Sequence, residues 1–321
     1  MNDFDYLVLG GGVGGLAAFF EIVKKGGGSV VLLEGRDVLM YTLTWMKYFP
    51  FGISDEDPRY TGVDFRKQVL FEVENLVGRD GEMKEAEILM GARVFKIDRD
   101  RRVVYARKND GSGLKIGYRN LVIAVGATQI VYGKYLLPGV RSGRVFSAYQ
   151  VGEMLEHYPF LPGRSLVVFG ESEYTLEVAL AAYDRGIKVS VVSPGERIME
   201  MIGKIPGGIP DGIGIYTNCI LKQLLGNVLF KGLVVQQGAF EFCIPGDSLA
   251  IDGEFVLEHP WREHLGVEWN LDRWEVDMDM EGMRESGILF VGDAKKPSPN
   301  FVLQYERTKE SVGEYLERKR G

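Results

Sequence analysis

Two short apolar runs near the start of the chain, Tyr6–Leu9 and Val30–Leu33, bracket a stretch of different periodicity. Uninterrupted apolar runs of this length are the pattern of parallel strands buried on both faces. Between them the Ala-rich segment LAAFFEIVKK reads as a helix, entered directly from a glycine turn at Gly10–Gly15. The opening is therefore one βαβ unit, and its second strand ends in Glu34.

The following segment, RDVLMYTLTWMKYFPFGISDEDPRY, is rich in aromatics and Met but has no clean period. It reads as a hydrophobic loop and short helix over the first domain, or as a wall of a flat apolar pocket; the two are compatible. Apolar positions Val69, Leu70, Val73, Leu76 and Val77 predict a helix over Phe65–Val77. Short strands are expected at Glu87–Met90, Ala92–Asp98, Val103–Arg107 and Leu114–Tyr118, with KNDGSG as a turn cluster. They suggest an antiparallel meander inserted ahead of a core strand at Asn120–Val125.

Gly139–Tyr158 predicts a loop and a helix. At Ser165 the opening pattern returns: strand Leu166–Phe169, helix Tyr174–Arg185, strand Val189–Val192. The architecture thus repeats about 160 residues on. A Gly/Pro-rich connection at Gly203–Gly214 leads to strands at Ile215–Leu221, Val228–Val235, Phe240–Ile244 and Ser248–Ile251. Val256–Leu265 looks helical, Gly287–Val291 is another buried strand, and Phe301–Arg318 is an amphipathic helix that Ser298 or Asn300 can cap.

Composition narrows the class. The chain has 321 residues, enough for two domains with real cores, and its 45% hydrophobic and 26% charged content is that of a soluble globular protein. A net charge of −7 argues against a nucleic-acid partner. No stretch approaches the roughly 20 apolar residues of a membrane-spanning helix, and the acidic opening is no secretory signal. A cytoplasmic location is the default expectation. Cys219 and Cys243 have no CxxC or metal-like spacing, and His157, His259 and His264 show no partner pattern. The acidic run around Asp277 lacks the spacing of a calcium loop, so no metal site is expected.

The chemistry sits in the first turn. Gly10, Gly12 and Gly15 have the spacing GxGxxG, with Val13 and Gly14 inside the same turn. The first glycine makes the tight turn, the second lets backbone approach a pyrophosphate, and the third lets helix and strand pack closely. The phosphates then meet N–H groups at a helix N-terminus, where the dipole favours negative charge. Glu34 is placed to accept hydrogen bonds from an adenosine ribose.

GGGVGG with Glu34, the strand LVIAVGAT and the C-terminal GILFVGDA together resemble the pyridine nucleotide-disulfide oxidoreductases, flavoproteins with two dinucleotide-binding domains. The likeness spans nearly the whole chain. It implies an α/β fold of two Rossmann-like three-layer domains, the second inserted into the first, similar in layout to glutathione and thioredoxin reductases. The implied boundaries are 1–138 and 253–321 for an FAD-binding domain and 139–252 for an NAD(P)-binding-like domain. The large C-terminal dimerisation domain of the glutathione-reductase type is, by this resemblance, not expected here, as 28 residues follow Asp293. By this resemblance Gly10, Gly12, Val13, Gly14 and Gly15 hold the FAD pyrophosphate and Glu34 the ribose. Val94 offers its backbone to the adenine, Ala124 and Gly126 match the ATG-like motif, and Asp293 bonds the ribityl hydroxyls with Gly292 allowing close approach. The helix after Pro299 directs its N-terminus at the flavin.

Two departures stand out. The second fingerprint is written Gly170, Ser172, Thr175, so side chains stand at two of its three glycine positions, with Glu171 and Glu173 beside them. Ser193 replaces the acid that selects NAD, while Arg197 could meet a 2′-phosphate. NAD(P) binding at Gly170 and Ser172 is therefore an open expectation. The stretch MYTLTWMKYF carries none of the flavin-side cysteines of disulfide-reducing members, and Cys219 and Cys243 read as packing residues.

The resulting expectation is an FAD-dependent oxidoreductase without a dithiol centre. In one version NAD(P)H reduces the flavin and a quinone, oxygen, small molecule or redox protein reoxidises it. In the alternative the chain is the electron-transferring FAD subunit of a larger dehydrogenase complex that does not itself use NAD(P)H. A third reading is a catalytically silent module that keeps FAD for structure or for partner binding. No acid–base catalytic residue is identified, and a homo-oligomer remains compatible with every version.

Overall fold

The structure is a computed structural model, and it describes residues 2–48, 60–78, 85–131, 138–139, 141–257, 265, 267, 269–270, 275–276, 278–298 and 300–320. The chain forms two compact units. One comprises Met1–Tyr41, Phe65–Thr128 and Val256–Gly321, and the other Thr42–Asp64 and Gln129–Phe255.

In the first unit, strand β1 (Asn2–Leu9) leads through the glycine turn into helix α1 (Val13–Lys24) and back to β2 (Val30–Leu33). Leu16, Ala17, Ala18, Phe19 and Ile22 of α1 are all fully buried. Each large side chain among them contributes about 1.5–3 kcal/mol by leaving water. Small Ala residues let the helix lie close to the sheet. After α2 (Gly62–Val77) come β3 (Ala86–Leu89), β4 (Ala92–Asp98), β5 (Val103–Lys108) and β6 (Gly113–Ile123). The sheet order is β3-β2-β1-β6-β5-β4.

The expected meander is therefore corrected in two places. The strand after α2 pairs parallel with β2 and belongs to the core sheet. The two strands expected at Leu114–Tyr118 and Asn120–Val125 are one continuous strand, β6. Its first half pairs antiparallel with β5, whereas β1 runs parallel along nearly its whole length. Strand β1 pairs with β6 from Ile116 through Ile123, and that ladder carries the strand through Gly117–Asn120 without a break.

The second unit repeats the theme. Strand β7 (Val145–Ser147) lies where a loop is expected from sequence and precedes helix α3 (Ala148–His157), which a reciprocal Ser147–Gln150 capping box opens. Then follow β8 (Ser165–Phe169), α4 (Glu173–Asp184), β9 (Lys188–Val192) and the short helix α5 (Arg197–Ile202). The expected strand Ile215–Leu221 is split at Asn218, whose φ is +53°. Its first part, β10 (Gly214–Tyr216), joins the parallel sheet, and its second, β11 (Cys219–Leu225), opens an antiparallel sheet with β12 (Gly232–Gln237) and β13 (Phe240–Pro245). Strand β14 (Ser248–Ile251) completes a parallel sheet of order β10-β9-β8-β14-β7.

The chain then returns to the first unit. The helix expected at Val256–Leu265 falls largely outside the described residues, as do His259, His264 and Asp277. Helix α6 (Met280–Ser286) is capped at its start by Asp279 and leads into β15 (Ile288–Phe290), which pairs parallel with the second half of β6. Helix α7 (Phe301–Arg320) closes the unit. Its cap is Asn300, whose Oδ1 accepts from the Leu303 N–H at 2.9 Å. No helix among the described residues is long and apolar enough to cross a membrane.

Candidate dinucleotide sites

Register puts the chemistry of the first unit on one edge. Leu9 of β1 stands level with Leu33 and Ile123, and Ile123 with Phe290. Four parallel strands thus end together, and the next residues, Gly10, Glu34, Ala124 and Val291, form their carboxyl edge. Each is tied down by its N–H: Gly10 to Leu33, Glu34 to Leu89, Ala124 to Leu9 and Val291 to Ile123. Ligands of open α/β sheets bind at such edges.

The glycines there have distinct tasks. Gly10 adopts φ +103°, and a Cβ on it would lie 2.5 Å from the Ala124 carbonyl oxygen. A Cβ on Gly15 would lie 1.7 Å from the Gly10 carbonyl oxygen, so only glycine lets α1 start against the turn. A Cβ on Gly14 would reach 2.9 Å from the Gly292 Cα, which brings the C-terminal GD turn against the helix. Gly12 differs, because a Cβ there would meet nothing within 4 Å. The helix N-terminus at Gly12 thus opens on a free ledge, with no side chain capping it.

Around that ledge lie the acids. Glu34 Oε2 accepts from the Gly11 N–H at 2.6 Å and Oε1 from the Arg36 N–H at 2.8 Å. The carboxylate therefore shapes the loop as well as facing it. Asp293 uses only Oδ1 internally, accepting from the Ser298 N–H at 2.8 Å and from Gln304 Nε2 of α7. Its Oδ2 has no hydrogen-bond partner among the described residues. Burial pushes the Asp293 carboxyl up to about 6, against the opposing pull of those two bonds. Val94 lies beside a register shift between Val94 and Lys96, and Gly126, at φ +79°, would meet nothing with a Cβ.

These features fit FAD: an uncapped helix start with open space, an acid at the end of the second strand, and a free carboxylate oxygen beside the last strand. The structure brings Gly10, Gly12, Val13, Gly14, Gly15, Glu34, Ala124, Gly126, Gly292 and Asp293 to one edge. Val94 is one hairpin away, on the strand joined to Glu34 through the Ala92 N–H.

The second unit has the same edge with other chemistry. Phe169, Val192 and Ile251 are level, and Gly170, Ser193 and Asp252 follow them. Ser172 caps α4, its hydroxyl accepting from the Tyr174 N–H at 3.2 Å. Asp252 is only 7% exposed. Its Oδ2 accepts from the Ser172 N–H at 2.9 Å and from Thr175 Oγ1 at 2.9 Å, and Oδ1 from Gln129 Nε2 at 3.0 Å. The buried Ser193 hydroxyl donates to the Gly195 carbonyl, and Arg197 pairs with Glu173. In sequence Asp252 is an isolated acid after an apolar strand. Its signal is the pairing of NLVIAV with SLAIDG, in which Asp252 stands where the first unit has Ala124.

Both cysteines are free and lie in the outer strands of the antiparallel sheet, Cys219 buried and Cys243 exposed. Burial pushes the Cys219 thiol up, away from the thiolate form a nucleophile needs. His157 Nε2 lies 2.9 Å from Thr44 Oγ1. Among the described residues no group of His, Cys, Asp and Glu could hold a metal.

Fold, edge chemistry and sequence converge on one class, a two-unit dinucleotide-binding oxidoreductase. The profile of the pyridine nucleotide-disulphide oxidoreductase family matches residues 4–305, and the chain belongs to that family. Its members bind FAD and NAD(P)H. Among solved structures, the fold is similar to bacillithiol disulfide reductase from Bacillus cereus, at 19% identity and TM-score 0.64, covering 99% of this chain and 100% of that one. It is similar to thioredoxin reductase from T. acidophilum, at 15% identity and TM-score 0.68, covering 100% and 99%. It is also similar to L-proline dehydrogenase from P. horikoshii, at 19% identity and TM-score 0.68, covering 98% of this chain and 55% of that one. No match is found among curated proteins. At these identities the likeness is one of fold.

Proposed function

We propose that this protein is an FAD-dependent oxidoreductase that passes electrons through a flavin held by its first unit, without a dithiol centre. The observation that carries the reading is the open ledge at Gly12, flanked by Glu34 and by the unengaged Oδ2 of Asp293. FAD, when bound, supplies the exchange of a hydride or of single electrons. The chain supplies the rest. The start of α1 presents N–H groups and a positive dipole end to the pyrophosphate. Glu34 has lone pairs to spare for ribose hydroxyls, and Asp293 Oδ2 can accept from a ribityl hydroxyl. Gln304 fixes that carboxylate from the first turn of α7, so the helix start and the acid are set as one piece. No cysteine pair is available to relay electrons onward, so the flavin itself must meet the acceptor. A quinone, oxygen or a small redox protein fits that requirement.

The test is the pigment. Purified protein should be yellow, with close to one FAD released per chain. Protein that is colourless and takes up no FAD on reconstitution removes the assignment.

A further inference from the structure

Within the second unit, the loop that matches the flavin loop is already filled from inside. The N–H of Asp252 donates to the Phe169 carbonyl as that of Ala124 does to Leu9, so Asp252 is the positional counterpart of Ala124. Ser172 is likewise the counterpart of Gly12, since each is the N-cap of the helix after the turn. At Gly12 there is open space and no side-chain cap. At Ser172 the backbone N–H is taken by Asp252 Oδ2, and the N–H of Tyr174, two residues on, is taken by the Ser172 hydroxyl. Thr175, where the first unit has Gly15, is fully buried and adds a third bond to the same carboxylate.

We infer that Asp252 is an internal anion seated where a dinucleotide's pyrophosphate would go, and that this unit does not bind NAD(P)H in the family's manner. Three physical reasons agree. Two of the helix-start donors that a diphosphate would use, the N–H groups of Ser172 and Tyr174, are already satisfied by side chains. A buried carboxylate beside a doubly negative group repels it in surroundings where solvent screens little. Displacing Asp252 would strip partners from Ser172, Thr175 and Gln129 together, leaving buried polar groups unpaired. The ribose end offers little compensation: Ser193, which stands where an acid would meet the ribose, is buried with its hydroxyl turned to Gly195, and Arg197 lies in a half-exposed pair with Glu173. Taken with the FAD reading, on which this consequence rests, the flavin receives its electrons from a donor other than a bound nicotinamide. That donor is a reduced small molecule or a redox protein that meets the flavin directly.

The experiment titrates NADH and NADPH, at fixed salt, into three proteins by quenching of nucleotide fluorescence. These are the wild type, Asp252→Asn, and Asp252→Ala combined with Ser172→Gly and Thr175→Gly. FAD content and melting temperature are read on the same samples. The wild type should show no saturation below millimolar nucleotide. The triple variant, which copies the first loop, should bind at least about tenfold tighter, and Asp252→Asn, which removes charge but keeps shape, should tighten several-fold. Micromolar binding by the wild type overturns the inference, as does a folded triple variant with no gain. If the triple variant fails to fold, Asp252→Asn decides: unchanged affinity overturns the inference. Absence of FAD from every sample would refute the flavin reading and leave the nucleotide result standing.

Discussion

Asp293 and Glu34 are both carboxylates on the same sheet edge, yet their settings ask for different tests. Glu34 holds Gly11 and Arg36 while facing the ledge, so removing it loosens the loop and deletes ribose contacts together. Glu34→Ala should weaken FAD binding by on the order of 1.5–3 kcal/mol, the range for bonds to a charged group, while Glu34→Gln, which keeps an acceptor for Gly11, should weaken it less. Equal FAD affinity in all three proteins would take Glu34 out of the site. Asp293 instead has a carboxyl raised to about 6 by burial. A carboxyl raised on folding is protonated more readily in the native state than in the unfolded chain. Between about pH 4 and pH 6 the folded state therefore holds more protons, and its stability falls as pH rises through that window. In flavin-free protein the wild type should lose melting temperature relative to Asp293→Asn between those pH values. A constant difference across the window would mean that Asp293 does not titrate there.

At the scale of elements, the seating of α1 on β1 separates folding from binding. Gly15→Ala forces a methyl group onto the Gly10 carbonyl, whereas Gly12→Ala places one in open space. Gly15→Ala should therefore destabilise the flavin-free protein by several kcal/mol, about the scale of serious overpacking. Gly12→Ala should leave its melting temperature nearly unchanged and still impair FAD uptake. Thermal melts and FAD titration of both variants check this, and a Gly12→Ala protein with full FAD affinity would count against the ledge as the phosphate seat. A second element-scale device lies in the other unit. Glu177 of α4 is fully buried, and its carboxylate accepts the backbone N–H groups of Lys47 and Tyr48. Nearby, the Tyr48 hydroxyl donates to Asp184 Oδ2 at 2.6 Å. Glu177→Ala leaves two backbone donors short of partners, at about 1–3 kcal/mol each, and should speed proteolysis of the 42–48 segment. Unchanged cleavage there would show that the apolar anchors Leu43, Trp45 and Met46 suffice without it.

For the whole molecule, two compact units of which the first leaves its strand edge open and the second fills it with Asp252 predict that FAD acts on one of them. A ligand that binds only the native state stabilises it by about 2.7 kcal/mol at a hundredfold excess over its dissociation constant. Hydrogen exchange should therefore slow on adding FAD at Gly10–Gly15 and from Gly292 into the first turn of α7. The Gly170–Thr175 loop, closed by Asp252, should change little. Slowing of the second loop to the same extent would mean that it too meets a nucleotide.

The sequence by itself determined the outline. Uniform apolar runs, the spacing of Gly10, Gly12 and Gly15, and the terminal GD turn specify a βαβ start, its repeat and an α/β family, because these depend on local sterics and period. Missing flavin-side cysteines were equally legible, since a redox pair must be written in residues. What the sequence left undecided was pairing at a distance. Nothing local says that Ala86–Leu89 lies parallel to β2 rather than in a hairpin, or that Leu114 and Ile123 share one strand. The aromatic segment after Tyr41 is another case, since Glu177, through Lys47 and Tyr48, and the packing of Trp45 on Tyr149 and Tyr174, not its own periodicity, hold its described part in the second unit. Asp252 is the sharpest instance. In sequence it is one acid after an apolar strand, and only the fold sets it 80 residues back against Ser172. A carboxylate acts through the donors around it, and tertiary structure alone decides which donors those are.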